Sequence, residues 1–77
     1  MTFKDKLKAD LKAERYVLTD LADRSNISNS YLFRILAGQL LPSIGTAEEL
    51  AKQATYMTRV AYTPDMFLTV ANELHND

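Results

Sequence analysis

Apolar positions in this chain recur with a helical period. Phe3, Leu7 and Leu11 return every fourth residue and line one face of a helix that runs to about Glu14. Thr2, with Asp5 three residues on, opens it as a capping-box-like pair, Asp standing in for the preferred Glu. A second helix is predicted from about Leu18 to Arg24, burying Leu21 and Ala22. Ser28 is placed to cap a third helix, with Ile27, Leu32 and Ile35 inward and Gly38 ending it at a left-handed position. Pro42 stops any continuation. A fourth helix begins near Ser43 or at the Thr46-Ala-Glu-Glu49 capping box, and Leu50, Ala51 and Ala54 face inward. After a loop around Met57 to Tyr62, Thr63-Pro64-Asp65 supplies a cap, a first-turn proline and an acid near the positive helix end. The last helix, about 64–75, carries the apolar stripe Met66, Phe67, Val70, Ala71 and Leu74, with His75 as a cation suited to its final turn.

Composition agrees with an all-α fold. Two glycines and two prolines leave little material for the turns of a sheet protein. Seventy-seven residues without repeat, linker or low-complexity tract read as one domain, 1–77. The absence of cysteine leaves no disulfide framework and makes a reducing cytoplasm the simplest home. One histidine without cysteine argues against zinc, and neither another metal nor a cofactor is expected. No apolar run suits a membrane span, and MTFKDKLKAD is too charged for a secretory signal. The net charge of −1 counts against indiscriminate phosphate binding. Its distribution is uneven, however. Residues 1–34 hold seven lysines or arginines against five acids, and residues 35–77 hold two against five.

Residues 18–37 have the spacing of a helix-turn-helix. Ala22 is small where two helices must cross closely. Asn26 falls at the corner, where the backbone needs a positive φ that Asn tolerates better than most residues. Ile27, Leu32 and Ile35 plug the angle between the helices. On these residues, and on the stretch ISNSYLFRILAGQLLPS, the chain resembles the Cro/CI-type helix-turn-helix family of phage repressors and XRE-type regulators. The resemblance runs from LKAERYVLTDLADRSNISNSYLFRILAGQLLPS into TAEELAKQA. It implies a compact five-helix, lambda-repressor-like DNA-binding domain whose helices two and three form the reading motif.

The same resemblance implies that Ser28, Asn29 and Ser30 open the helix that enters the major groove of double-stranded DNA, with Phe33 and Arg34 one turn further on the outward face. Asn pairs with adenine, Ser with several bases, Arg with guanine or a phosphate, and Phe packs on a thymine methyl. Backbone-contact candidates are Thr19, Gln39 and the stripe Lys4, Lys8 and Lys12, continued by Arg15. That stripe reads first as a solvated face and second as a phosphate-steering strip flanking the reading helix. The chain departs from the family at Val17 and Leu18, where Ser or Thr and Gln are common, at Ala37, and at Gln39-Leu40-Leu41, where cations are usual. Each missing cation lowers the salt slope of log K by about one unit.

Leu40, Leu41, Met66, Phe67, Val70 and Leu74 are candidates for a dimer or partner surface. A two-fold homodimer would set two reading helices about 34 Å apart, one DNA turn. The leading function is a small repressor of this kind. The alternative is a protein-binding module on the same scaffold, an antirepressor or an inhibitor from a phage or mobile element. No small-molecule ligand is evident, and no nucleophile–base set, paired acids or phosphate loop points to an enzyme.

Overall fold

The computed structural model describes residues 2–70. These form five helices: α1 Phe3–Ala13, α2 Leu18–Arg24, α3 Asn29–Leu36, α4 Ile44–Thr58 and α5 Pro64–Leu68. Their start signals are local. Thr2 closes a complete capping box with Asp5, its hydroxyl accepting from the Asp5 N–H at 3.1 Å while the Asp5 carboxylate accepts from the Thr2 N–H at 3.4 Å. Ser28 accepts from the Tyr31 N–H at 3.0 Å, and Ser43, the cap that α4 uses, accepts from the Thr46 N–H at 3.2 Å.

Three of the helices end in the same way. Arg15, Asn26 and Gly38 have φ of 66°, 59° and 75°. In each case the following N–H reaches five residues back: Tyr16 to Leu11, Ile27 to Ala22, and Gln39 to Arg34. These are Schellman endings, which need one left-handed residue just past the helix. Asn26 is therefore the corner of the helix-turn-helix, as its spacing predicts. Arg59 ends α4 at φ 61°, its N–H bonded to the Thr55 carbonyl at 2.8 Å.

Leu7 and Leu11 from α1, Leu21 from α2, Leu32 and Ile35 from α3, Leu50 from α4 and Phe67 from α5 fill the centre, fully buried. Ala22 is buried at the α2–α3 crossing, Ile27 packs partly buried against the core, and Leu36 is inside. α4 packs on α1, α2 and α5. Phe3, Tyr62 and Phe67 close the α1–α5 end, with the Phe3 and Phe67 rings 5.1 Å apart and nearly perpendicular.

One expected boundary moves. α4 runs through Met57 and Thr58, predicted as loop, because both side chains point into the core and no breaker precedes Arg59. The turn after it is held by the Thr55 hydroxyl, which donates to the Tyr62 carbonyl at 3.1 Å and accepts from its N–H at 2.9 Å. α5 spans Pro64–Leu68, a single break falls at Thr69, and Val70 is again helical. Thr69 caps α5, its hydroxyl donating to the Met66 carbonyl at 3.5 Å. Ala71, Leu74 and His75 lie outside the described residues.

Candidate nucleic-acid interface

The first turn of α3 is built for exposure. Ser28 sits in extended backbone, and its hydroxyl is committed to the Tyr31 N–H. The N–H groups of Asn29 and Ser30 have no partner within the helix, so a partial positive charge gathers at this end. Asn29, Ser30 and Arg34 are exposed, whereas Leu32 and Ile35 on the opposite face are buried. Phe33 is also exposed, at 37%, with the Lys4 ammonium 4.9 Å from its ring centroid.

Thr19 does not cap α2. Its hydroxyl instead donates to Asn29 Oδ1 at 3.3 Å, linking the start of α2 to the start of α3. The α2 cap position is Val17, which has no side-chain acceptor; Asp20 reaches back to take the Val17 N–H at 2.8 Å. Val17 is left 62% exposed.

The lysine stripe of α1 lies beside this motif. Lys8 and Lys12 border a cleft shared with Thr19 and Phe33, and Lys4 covers the Phe33 ring. The stripe thus occupies the flank of α3, the position that a phosphate-steering strip requires. Arg15 follows the stripe just past the end of α1, at a left-handed position. The one ion pair among the described residues, Lys6 to Asp10 at 2.8 Å, is also on α1. With the Tyr62 hydroxyl, which donates to the same carboxylate, Lys6 holds Asp10 below the usual carboxylate range.

Beyond α3, Gln39 is exposed, and its N–H is used in the Schellman ending. Leu40 and Leu41 separate. Leu40 packs partly buried on the core, and Leu41 is 63% exposed. Of the apolar residues expected at an interface on the last helix, Phe67 and Val70 are buried in the monomer and unavailable to a partner. Met66 is exposed, and Leu74 lies outside the described residues. Ile44, exposed at the first position of α4, escaped the sequence reading. Its signal was an apolar residue directly after a capping serine, on the outward side of the turn.

A family model described as helix-turn-helix matches residues 7–53, from α1 into α4. The chain belongs to the XRE-like, Cro/CI-type helix-turn-helix family. This is a family of DNA-binding regulators, typically without enzymatic activity. Neither the curated proteins nor the solved structures give a match. Among the described residues of this helix-turn-helix protein, no cluster of His, Cys, Asp or Glu could hold a metal ion, and no helix is long and apolar enough to cross a membrane.

Proposed function

We propose that this protein is a sequence-specific transcriptional regulator that reads double-stranded DNA in the major groove with α3. The observation that carries the reading is the exposed first turn of α3, where Asn29 and Ser30 stand free of the core within a family helix-turn-helix. N-terminal residues of the second helix in this motif reach base edges. Asn29 reads adenine, Ser28 and Ser30 contact neighbouring bases, and Arg34 takes guanine or a phosphate. Phe33 packs on a thymine methyl or on the sugar edge beside it. Thr19, Gln39, Lys4, Lys8 and Lys12 hold the backbone on either side.

One reading helix covers only a few base pairs, so the protein acts as a homodimer on a two-fold site and represses by occupying a promoter. The exposed apolar side chains Met66, Val60 and Tyr56 support a self-contact near the α4–α5 end. Selection from a random duplex library at low salt tests this: enrichment of a palindromic site supports it, and recovery of unenriched sequence refutes it. A promoter reporter then gives the sign of regulation.

A second reading rests on Leu41 and Ile44, which are 63% and 68% exposed beside the end of α3. Such a patch fits a protein partner, and it makes the chain a protein-binding module of the antirepressor type. Loss of a captured partner in Leu41→Ser/Ile44→Ser, with the DNA interaction kept, would favour it.

A further inference from the structure

We propose that the cleft between α1 and the α2–α3 corner binds a small amphipathic anion: an apolar body, aliphatic or aromatic, bearing one carboxylate or comparable acidic group. The cleft has a volume of about 420 Å³, within the usual range for small-ligand sites. Its lining is mostly carbon. Ala9 on α1 leaves the space open, Tyr16 and Leu18 form one wall, and the Phe33 ring closes the side toward α3.

Two features point to this ligand rather than to a stretch of sugar–phosphate. The first is Val17. At a helix cap, where a polar side chain would bond the free N–H groups, the chain places an apolar one that makes no cap bond, stays 62% exposed and lines the cleft. Such a wall gains nothing from a hydrated phosphodiester, and it gains from covering hydrocarbon. The second feature is the rim. Lys8 and Lys12 are exposed one helical turn apart, and neither forms an ion pair with a described residue. Asp5 is near enough to Lys8 to feel its charge without pairing with it. An apolar floor under two unpaired ammonium groups is complementary to a molecule with a hydrocarbon body and a single anionic end.

Thr19 and Phe33 belong both to the cleft and to the proposed reading face. Resting on that reading, the ligand and DNA compete: a bound anion offsets one of the two positive charges of Lys8 and Lys12 and covers the Phe33 ring that would meet the groove.

Amide-resolved NMR titration of the full chain with octanoate and with naphthoate, each compared with its neutral alcohol, tests the site without DNA. Saturable shifts are expected over residues 8–19 and at Phe33, with the alcohols weaker by about tenfold. Lys8→Gln/Lys12→Gln should remove that preference for the acid, and Ala9→Leu should abolish binding of both forms while the remaining spectrum stays folded. Absence of saturable shifts, equal affinity for acid and alcohol, or shifts centred on the core would overturn the proposal. In a separate arm, naphthoate should release the protein from its selected duplex; a ternary complex would refute the competition. If no duplex is ever selected, the titration still decides the cleft.

Discussion

The Thr19 hydroxyl donates to Asn29 Oδ1 across 3.3 Å, so the start of α2 orients the first side chain of α3. A carbonyl oxygen has two lone pairs, and one remains to accept from adenine while the Asn29 amide donates. Asn29→Ala should weaken binding to the selected duplex by about 1–3 kcal/mol. Thr19→Val, which frees the amide to rotate, should cost roughly three- to tenfold and blur the preference at one base pair. Fluorescence anisotropy on the selected duplex and its single-base variants measures both. Unchanged melting temperatures would place the effects at the interface.

Arg34 stands one turn beyond Ser30 on the exposed face. As a phosphate contact, its replacement in Arg34→Gln should lower the slope of log K against log salt by about one and weaken all sequences alike. As a guanine contact it should cost about 1–3 kcal/mol on one sequence and leave nonspecific binding almost untouched. Titrations at several salt concentrations on specific and scrambled duplexes separate the two. No effect on either duplex would remove Arg34 from the site.

The left-handed positions predict a stability series. Arg15 and Arg59 carry a Cβ at φ 66° and 61°, which is unfavourable by about 1 kcal/mol or more. Arg15→Gly and Arg59→Gly should each stabilise the fold by about 0.5–1 kcal/mol, part of the gain being offset by the freer unfolded chain. Gly38→Ala should destabilise by about 1 kcal/mol, since it places a Cβ at φ 75°. Chemical denaturation reads all three. A destabilised Arg59→Gly would mean that the arginine side chain contributes more than its backbone costs.

Asp10 makes part of the stability pH-dependent. The Lys6 ammonium and the Tyr62 hydroxyl hold its carboxyl below the ordinary 3.8. The folded state therefore releases this proton more readily than the unfolded chain. The resulting stabilisation is present above about pH 4 and is lost as pH falls through 3.8 toward the lower folded value. Tyr62 moves in the opposite sense: burial, then Asp10, raises its hydroxyl above the ordinary 10.0, so its contribution is lost as pH rises past that value. Asp10→Asn should cost roughly 0.2–1 kcal/mol at neutral pH, because Lys6 is half exposed. It should also flatten the acid limb of urea midpoints plotted against pH. An unchanged acid limb would assign acid unfolding to other carboxylates.

Much of the architecture was legible because its signals are local. Thr2 with Asp5, Ser28 with Tyr31, and Asn26 at the corner act within three to five residues, and the structure uses each as the spacing predicts. Where local signals competed, reading was poorer. Ser43 and Thr46 both offer caps for α4, and the choice of Ser43 gives the helix an extra turn. At the other end, burial of Met57 and Thr58 prolongs α4 past its last unambiguous apolar position. The apolar stripe beginning at Met66 predicts a helix over 64–75; it is helical at Pro64–Leu68 and Val70 with a break at Thr69, and its remainder lies outside the described residues. A 3.6-residue period marks which side of a segment is apolar; it does not say how far the segment stays helical.

The candidate site was half visible. The outward set Asn29, Ser30 and Arg34 follows from the inward set Leu32 and Ile35 by helix geometry alone, and all three are exposed. The dimer candidates fared differently, since Phe67 and Val70 are covered by the monomer itself.

By itself, the order of residues determined the helices, the corner at Asn26 and the two faces of α3, because caps, left-handed stops and helical period act over a few neighbouring positions. Only the tertiary structure decided that Lys4 would lie on Phe33, that Thr19 would hold Asn29, and that Ala9, Val17 and Phe33 would enclose a cleft under two lysines. Those contacts join residues distant along the chain. They depend on how α2 crosses α3 and on how α1 packs against that pair, and no local period encodes those angles.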